Sequence, residues 1–204
     1  MLGEAYDNGH LGLAVDHAQA TAWYRKAAAV GLAKAQSNLG VSYQCGDGVI
    51  QDAAEAARLY RLAADQGLPD AIYNLGVCYR DGTGMPQDHA AAFAHFRRAA
   101  ELGNLGAMAE LAVCYKGGRS TAVDYAQAMR WARRAADQDD AHAMTTVGAL
   151  YGLGQGVPAN SAEAIRWYER AAAAGEDTAK ANLRRHAADG FAPAAAALRR
   201  LGLE

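Results

Sequence analysis

Apolar residues recur along the chain at a spacing that predicts pairs of short helices. Ala71, Leu75 and Tyr79 are four residues apart and therefore share one face of a helix. The segment 80–84, "RDGTG", interrupts that pattern, and Gly82 within it suits the left-handed residue that ends a helix. A second apolar face follows, formed by Ala92, Phe96, Ala99 and Ala100. The pattern predicts a helix, a loop, a second helix and a short turn.

The same pattern returns every 36 residues. "NLGVSYQCGDGV" at 38–49 and "NLGVCYRDGTGM" at 74–85 align with their glycines in register. The equivalent positions are an apolar residue of the first helix (Leu39, Leu75, Leu111, Val147, Leu183), a tyrosine (Tyr43, Tyr79, Tyr115, Tyr151), a loop glycine (Gly46, Gly82, Gly118, Gly154, Gly190), an Asp or Asn (Asp16, Asp52, Asp88, Asp124, Asn160) and a closing residue (Gly31, Gly67, Gly103, Asp139, Gly175). Leu2 and Tyr6 begin two of these series, one residue out of step. A fixed period of this length predicts an array of stacked helix pairs.

Each second helix is predicted to begin after its Asp or Asn, whose side-chain oxygen can accept a first-turn N–H. Glu55, Gln127 and Glu163 lie three residues later, which is the spacing of a capping box. Gly76, beside Leu75, is expected to let a neighbouring backbone approach closely. Besides the leucines and the loop-side tyrosines, the predicted large contributors to the core are Trp23, Tyr60, Phe96, Trp131 and Trp167.

The repeated unit resembles the Sel1-like repeat, a relative of the tetratricopeptide repeat. It reads A-x-x-x-L-G-x-x-Y-x-x-G-x-G-V followed by D-x-x-x-A-x-x-W-Y-x-x-A-A-x-x-G, and it is clearest at 35–67, 71–103 and 143–175. The resemblance implies an all-α fold, a right-handed α/α superhelical solenoid of about five 36-residue helix-pair repeats plus a C-terminal capping helix. It predicts one solenoid over 1–204, with repeats at 1–31, 32–67, 68–103, 104–139 and 140–175 and a degenerate repeat and cap at 176–204.

Some copies depart from this pattern. Ser120 stands where other copies have glycine, Ala132 where others have a ring, and Asp139 where others close with glycine. Residues 179–190 resemble a degenerate first helix of the repeat. The final segment 191–202, "FAPAAAALRRLG", predicts one more helix that covers the array.

Composition and charge narrow the class of protein. Alanine supplies 51 of the 204 residues and aromatic residues only 8%, which suits thin helical layers better than one deep core. The net charge of −2 predicts no basic face and therefore no nucleic-acid partner. No apolar run reaches the ~18–20 residues of a membrane span, so no membrane insertion is predicted for this chain.

Cysteine usage and the N-terminal residues bear on the compartment. Cys45, Cys78 and Cys114 are an odd number and give no full disulfide framework, so we expect free thiols. The first ten residues are not a secretory signal. These features favour a cytoplasmic location, with a periplasmic one left open if the N-terminus is truncated.

The resemblance also implies a binding face. Tetratricopeptide-like arrays hold extended peptides on a concave face lined by their first helices, and asparagine amides there can both donate and accept hydrogen bonds. Arg80 and Lys116 could hold carboxylates. By this analogy the predicted peptide-binding residues are Asn38, Gln44, Tyr73, Asn74, Arg80, Glu110, Lys116, His142, Thr146 and Asn182.

Other interpretations of the same residues stay open. The asparagines could serve packing, and Arg80, Asp81 and Lys116 could form ion pairs between repeats. A structural spacer or self-assembly module is the alternative to a protein-interaction adaptor, and a β-lactamase-like hydrolase is a remote one. No serine has a lysine three residues later and no histidine pair has zinc-enzyme spacing, so no catalytic residue, metal or cofactor is predicted.

Overall fold

The computed structural model describes residues 2–10, 12–118 and 120–203, and every regular element in these residues is an α-helix. The chain divides into two compact units, Met1–Asn104 (unit 1) and Leu105–Glu204 (unit 2). Unit 1 contains α1 (Leu2–Asn8), α2 (His17–Ala29), α3 (Ala33–Cys45), α4 (Ala53–Asp65), α5 (Pro69–Asp81) and α6 (His89–Glu101). Unit 2 contains α7 (Leu105–Gly117), α8 (Tyr125–Ala136), α9 (Ala141–Leu153), α10 (Ser161–Ala173), α11 (Asp177–Ala188) and α12 (Ala192–Leu201).

Within each unit, every helix packs on the next one in the chain. The odd-numbered helices are the first helices of the pairs, and the even-numbered ones are the second helices. In unit 2, α7 also packs on α9, and α12 packs on α10 as well as α11. The predicted repeat boundaries fall in the turns between pairs, while the prediction of one solenoid over the whole chain stays a prediction.

The loops inside the pairs share a left-handed glycine, a side-chain cap and one backbone hydrogen bond. Gly46 and Gly82 end α3 and α5 with φ of 83° and 70°, a left-handed conformation that glycine adopts without steric cost. Asp52 and Asp88 then cap α4 and α6 by accepting first-turn N–H groups. The N–H of each capping residue donates in turn to the carbonyl of the preceding loop-side tyrosine, at 2.9 Å for Asp52.

The hydrogen bond from the capping residue to the tyrosine carbonyl replaces half of the predicted capping box. The Asp52 N–H already donates to a carbonyl, and the Glu55 carboxylate pairs with Arg58 at 2.7 Å. Glu163 likewise pairs with Arg166 at 2.6 Å. The N-cap half of the motif is therefore present, whereas the glutamate side chain is used in an ion pair within its own helix.

The leucine series forms the core, with one exception. Leu39, Leu75, Leu111, Val147 and Leu183 are all buried. Leu2, at the corresponding position of α1, is 44% exposed.

The prediction that Trp23 and Trp167 are core residues is wrong. Trp23 is 37% exposed and Trp167 is half-buried, each with a basic side chain 4.6 Å above its ring. The neighbouring Tyr24 and Tyr168 are buried instead, since one residue along a helix turns a side chain by about 100°. The buried ring positions of the second helices are Tyr24, Tyr60, Phe96 and Tyr168, with Ala132 in the remaining pair; Trp131 beside it is also buried.

The glycine next to the core leucine faces this ring, and a backbone carbonyl of the second helix also comes close in two pairs, at 3.3 Å from a Cβ added at Gly40 and 3.1 Å from one added at Gly148. A Cβ added at Gly76 would lie 2.8 Å from the Phe96 ring. Gly40 and Gly148 face Tyr60 and Tyr168 in the same way. In the pair without a ring, the equivalent first-helix residue is Ala112, so a small residue on each helix replaces a glycine and a ring.

The final helix pair closes unit 2 as predicted. Ala194, Ala197 and Leu198 of α12 are buried, and Arg199 and Arg200 are exposed. The Arg200 guanidinium makes two hydrogen bonds to the Glu169 carboxylate of α10, at 2.6 and 2.7 Å.

Candidate functional site

The predicted peptide-binding residues all lie on first helices, but they are not equivalent in exposure. They are distributed over α3 (Asn38, Gln44), α5 (Tyr73, Asn74, Arg80), α7 (Glu110, Lys116), α9 (His142, Thr146) and α11 (Asn182). Most are half-buried and His142 is exposed. Thr146 is only 4% exposed, and its hydroxyl donates to the His142 carbonyl at 3.2 Å, one turn earlier in the same helix. The Thr146 hydroxyl is therefore used inside α9.

Gln44 and Arg80 already have partners within unit 1. The Gln44 Oε1 accepts the Tyr60 hydroxyl at 2.7 Å. The Arg80 guanidinium pairs with Asp81 on the same helix, with Nε–Oδ1 at 2.8 Å, and so lowers the pKa of Asp81. Exposed pairs of this kind contribute ~0–1 kcal/mol. Tyr73 packs its ring against Phe96, with centroids 5.8 Å apart.

A cleft of about 220 Å³ opens between α1 and α3 in unit 1. We call it the unit 1 cleft, and it is lined by Glu4, Asp7, Asn8, Tyr24, Asn38, Val41, Ser42 and Asp47. Three of these side chains are carboxylates and none is cationic. The unit 1 cleft is therefore acidic.

A cleft of about 180 Å³ occupies the equivalent place in unit 2, between α9 and α11. This unit 2 cleft is lined by Ala149, Gly152, Leu153, Tyr168, Asn182, Arg185 and His186. The repeat period aligns Tyr168 with Tyr24 and Asn182 with Asn38. Arg185 takes the place of Val41, and none of the lining residues is acidic. The same architectural position is thus acidic in one unit and basic in the other.

Hydrogen bonds fix the charges of the unit 1 cleft. Glu4 binds Lys34 at 2.7 Å, which lowers the pKa of Glu4 to about 2. Asp7 accepts the Tyr24 hydroxyl at 3.2 Å and binds His17 Nδ1 at 2.9 Å, and the bond to Asp7 raises the pKa of His17. The Glu4 carboxylate therefore keeps its negative charge far below neutral pH.

Only two of the predicted residues line these clefts, Asn38 and Asn182. Sequence reasoning missed Asp7, Tyr24 and the Arg185–His186 pair. A signal was available for the last two, since alignment by the repeat period puts Arg185 in a valine series. A signal was also available for Tyr24, since the repeat period aligns it with Tyr60 and Phe96, whereas Trp23 aligns with Leu59 and His95.

A larger cavity of about 380 Å³ is lined by α2, α3 and α4. Arg25, Gln36, Tyr43 and Arg58 are among its lining residues. In another pair of unit 1 the equivalent Arg61 donates to the Tyr79 hydroxyl at 3.1 Å. No asparagine of the repeated series lines this cavity. It is also not equivalent in position to the basic cleft of unit 2.

Other chemistry finds no support in the described residues. No group of three or more His, Cys, Asp or Glu side chains there is placed to hold a metal ion. Cys45, Cys78 and Cys114 are free thiols, and burial raises the pKa of Cys78. Among the described helices, none has both the length and the apolar character that crossing a bilayer requires.

Comparison with protein families matches the Sel1 repeat at residues 1–32, 33–68, 69–104, 106–140 and 141–176. Comparison with curated proteins gives no match. Among solved structures, a Sel1 repeat protein from Oxalobacter formigenes is 34% identical with a TM-score of 0.81, and the match covers 88% of this chain and 71% of that one.

Two further solved structures are similar. A protective antigen present in uropathogenic Escherichia coli strains, which displays an SLR fold, is 32% identical with a TM-score of 0.83. That match covers 97% of this chain but 44% of the antigen, so the chain spans less than half of the antigen's length. The immunity protein PA5088 from Pseudomonas aeruginosa is 26% identical with a TM-score of 0.59, over 87% of this chain and 67% of that one.

The family match spans most of the chain, from residue 1 to residue 176, and every regular element in the described residues is a helix, arranged as consecutive pairs. The predicted all-α class and the resemblance to Sel1-like repeats are both confirmed. With five matched repeats, the chain belongs to the Sel1-repeat family of α/α solenoid proteins.

Proposed function

We propose that this protein is a non-catalytic adaptor that holds an extended segment or a helix of a partner protein on the face formed by its first helices. Sel1-repeat proteins are generally protein-interaction scaffolds, typically without catalytic activity. The observation that carries the proposal is a half-buried asparagine at one equivalent position of three first helices, α3, α5 and α11, which lies beside a cleft in α3 and α11.

Asparagine at this position suits the recognition of a peptide backbone. Its amide offers two donors and an acceptor, so that it can pair with a peptide N–H or C=O. Asn38 and Asn182 line the two clefts, and Asn74 is half-buried at the equivalent place on α5. Each cleft, of about 220 or 180 Å³, has room for one side chain of the bound segment.

The charges of the clefts favour particular side chains. The unit 1 cleft, with Glu4, Asp7 and Asp47, favours a lysine or arginine of the partner. Complementary charge of this kind speeds association and selects among partners more than it adds affinity.

Peptides selected from a random display library against the whole chain provide the test. Each selected peptide is titrated calorimetrically against wild type, Asn38→Ala, and the double variant Asn74→Ala with Arg80→Ala. The control is Arg97→Ala, an exposed side chain on second helix α6. We expect at least one of the first-helix variants to bind about tenfold more weakly and the control to bind as wild type does, since a few side chains dominate such interfaces. Equal affinity for all variants would move the site off this face.

Self-assembly is the alternative, and the exposed Leu2 on α1 is the observation that favours it. Light scattering at several protein concentrations separates the two functions. A mass that rises with concentration, and falls for Leu2→Ser, supports self-assembly, whereas a monomer at all concentrations rejects it.

A hydrolase would need a nucleophile in a cleft. The serine that lines the unit 1 cleft, Ser42, accepts the Thr21 hydroxyl and donates to the Asn38 carbonyl. No lysine or histidine lines that cleft to activate it. Turnover of ester or β-lactam substrates is therefore not expected.

A further inference from the structure

The buried tyrosines of the second helices share one hydrogen-bonding position on the first helices. In unit 1 the Tyr24 hydroxyl donates to Asp7 at 3.2 Å, and the Tyr60 hydroxyl donates to Gln44 at 2.7 Å. Asp7 and Gln44 are equivalent residues of successive repeats. Each buried phenol thus has an acceptor that its own repeat supplies.

In unit 2 that acceptor is missing. The residue equivalent to Asp7 and Gln44 is Gly152, which has no side chain. Tyr168 is only 2% exposed and lines the unit 2 cleft, and the described residues give its hydroxyl no hydrogen-bond partner. Within the described residues this hydroxyl forms no hydrogen bond, so it can donate to water or to a ligand that enters the cleft. The hydroxyl oxygen is accessible to solvent, since among the described residues no fully buried side-chain N or O atom lacks a hydrogen bond.

The other groups around the unit 2 cleft are also donors. Arg185 and His186 stand where other repeats have an apolar residue or a small side chain, and Asn182 adds its amide. The Arg185 guanidinium has no hydrogen-bond or ion-pair partner in the part of the chain that the structure describes. His186 packs between Tyr168 and Phe191, with centroids 6.0 and 6.4 Å away. Burial raises the pKa of Tyr168, which keeps the phenol protonated and able to donate at neutral pH.

We infer that the unit 2 cleft binds a carboxylate, carried by an aspartate or glutamate side chain of a partner segment. The unit 1 cleft supplies the physical reason, because there an internal carboxylate, Asp7, accepts the same tyrosine hydroxyl. In unit 2 the internal acceptor is absent and an arginine has been added, so an external carboxylate fills the role of Asp7. Arginine and a phenol together provide charge-assisted hydrogen bonds to such a group. The link to a protein partner rests on the proposed function, whereas carboxylate binding itself does not.

The experiment uses small probes and the whole chain. N-acetyl-glutamate N-methylamide carries a side-chain carboxylate, its glutamine counterpart is the neutral control, and N-acetyl-alanine carries only a terminal carboxylate. Backbone amide NMR shifts are followed during each titration. We expect saturable shifts at Gly152, Asn182 and Arg185 with the glutamate probe and none with the glutamine probe. Stronger binding of N-acetyl-alanine would overturn the assignment to an acidic side chain.

Four variants separate this site from general electrostatics. Tyr168→Phe and Arg185→Gln should each weaken glutamate-probe binding by about tenfold. Gly152→Gln restores the internal acceptor that Gln44 provides in unit 1, and it should abolish binding. A Cβ at Gly152 comes no nearer than 3.7 Å to its closest neighbour, Ala164, so the first atom of the new side chain has room, and the rest of it extends from a residue that lines the cleft. Tyr60→Phe is the matched control, which loses a hydroxyl bond in unit 1 and should bind the probe as wild type does.

Folding is checked on the same proteins. Phe96 occupies the position equivalent to Tyr60 and Tyr168, so phenylalanine should fit at both of these positions. Tyr168→Phe should leave the unfolding midpoint unchanged, because it removes no internal hydrogen bond, whereas Tyr60→Phe should lower it. Wild-type probe affinity in both Tyr168→Phe and Gly152→Gln would overturn the inference, and so would equal binding of the neutral probe.

The outcomes also separate the inference from the proposed function. If the selected peptides bind but the unit 2 variants change neither peptide nor probe binding, the adaptor function stands and the carboxylate site is rejected. If the probe binds in the cleft and no peptide is selected on the first-helix face, the carboxylate site stands and the adaptor function is rejected.

Discussion

Replacing Gly76 by alanine tests how the helix pairs are packed. This glycine lies in the middle of α5 and faces the Phe96 ring of α6. In an open helix, the change from glycine to alanine would stabilise the protein by about 0.5–1 kcal/mol, because it reduces the freedom of the unfolded backbone. At Gly76 the added methyl group meets a buried ring, so we expect the opposite sign.

The structure gives the size of the steric effect. The new Cβ would lie 2.8 and 2.9 Å from two atoms of the Phe96 ring and 3.3 Å from the His95 Cβ. The Phe96 ring is 1% exposed and cannot swing into solvent. Overpacking of a well-filled core costs about 1–3 kcal/mol. After subtraction of the gain of about 0.5–1 kcal/mol, Gly76→Ala should destabilise the protein by up to about 2.5 kcal/mol.

A double-mutant cycle isolates the contact. Phe96→Ala alone should cost about 3–5 kcal/mol, because it leaves a cavity. In that background Gly76→Ala should become stabilising, since the methyl group then enters free space. The protein itself contains this combination, with Ala112 and Ala132 in the pair that lacks a ring. The expected coupling energy between the two sites is about 1–3 kcal/mol.

Urea unfolding followed by circular dichroism at the helix band measures these differences, provided that the m value stays constant between variants. Gly152→Ala is the matched control, because it is also a helix glycine but meets only Ala164 at 3.7 Å. It should be neutral or slightly stabilising. The reasoning fails if Gly76→Ala stabilises the wild-type protein, or if its effect is the same with and without the Phe96 ring.

Three further predictions concern the leucine series, the loops and the last helix. Leu75→Ala should cost about 2–5 kcal/mol in urea unfolding, and an unchanged curve would contradict its core role. Gly84→Ala should be more destabilising than Gly67→Ala by about 1–3 kcal/mol. Both glycines have positive φ, but only a Cβ at Gly84 would overlap the first carbonyl of α4. Equal losses of stability would refute that close approach. Arg200→Gln should destabilise the protein only slightly near neutral pH, where Glu169 is ionised, because an exposed ion pair contributes little. The bond to Arg200 lowers the pKa of Glu169, so this stabilisation is present above the unfolded pKa of about 4.3 and is lost as the pH falls through the folded pKa. The stabilities of wild type and variant should therefore converge in acid. A constant difference between pH 7 and pH 2 would contradict the assignment.

The repeat period and the local backbone could be predicted from the sequence because they depend on neighbouring residues. Asp52 caps α4 through N–H groups two and three residues away, and Gly82 ends α5 through its own left-handed conformation. The position of the core leucines follows from the helical spacing alone. Such features need no knowledge of what the helix packs against.

Side-chain partners that lie far apart in the chain could not be predicted in this way. The repeat period aligns Tyr24 with Phe96 and so indicates that Tyr24 rather than Trp23 is inside, but it does not say what the Tyr24 hydroxyl meets; only the packing of α2 on α1 brings it to the Asp7 carboxylate. The predicted capping box is a second case. The sequence allows Glu55 to accept the Asp52 N–H, but in the structure that N–H donates to the Tyr43 carbonyl of the preceding helix.

The sequence by itself therefore determined an array of capped helix pairs, five of them in the Sel1 pattern, with leucines inside and asparagines at one repeated position. Tertiary structure decided that Asp7 accepts the Tyr24 hydroxyl, and that Gly152 leaves the hydroxyl of Tyr168 facing a cleft beside Arg185. Caps and turns are fixed by interactions within a few residues, whereas the charge and shape of a cleft depend on which faces of separate helices pack together.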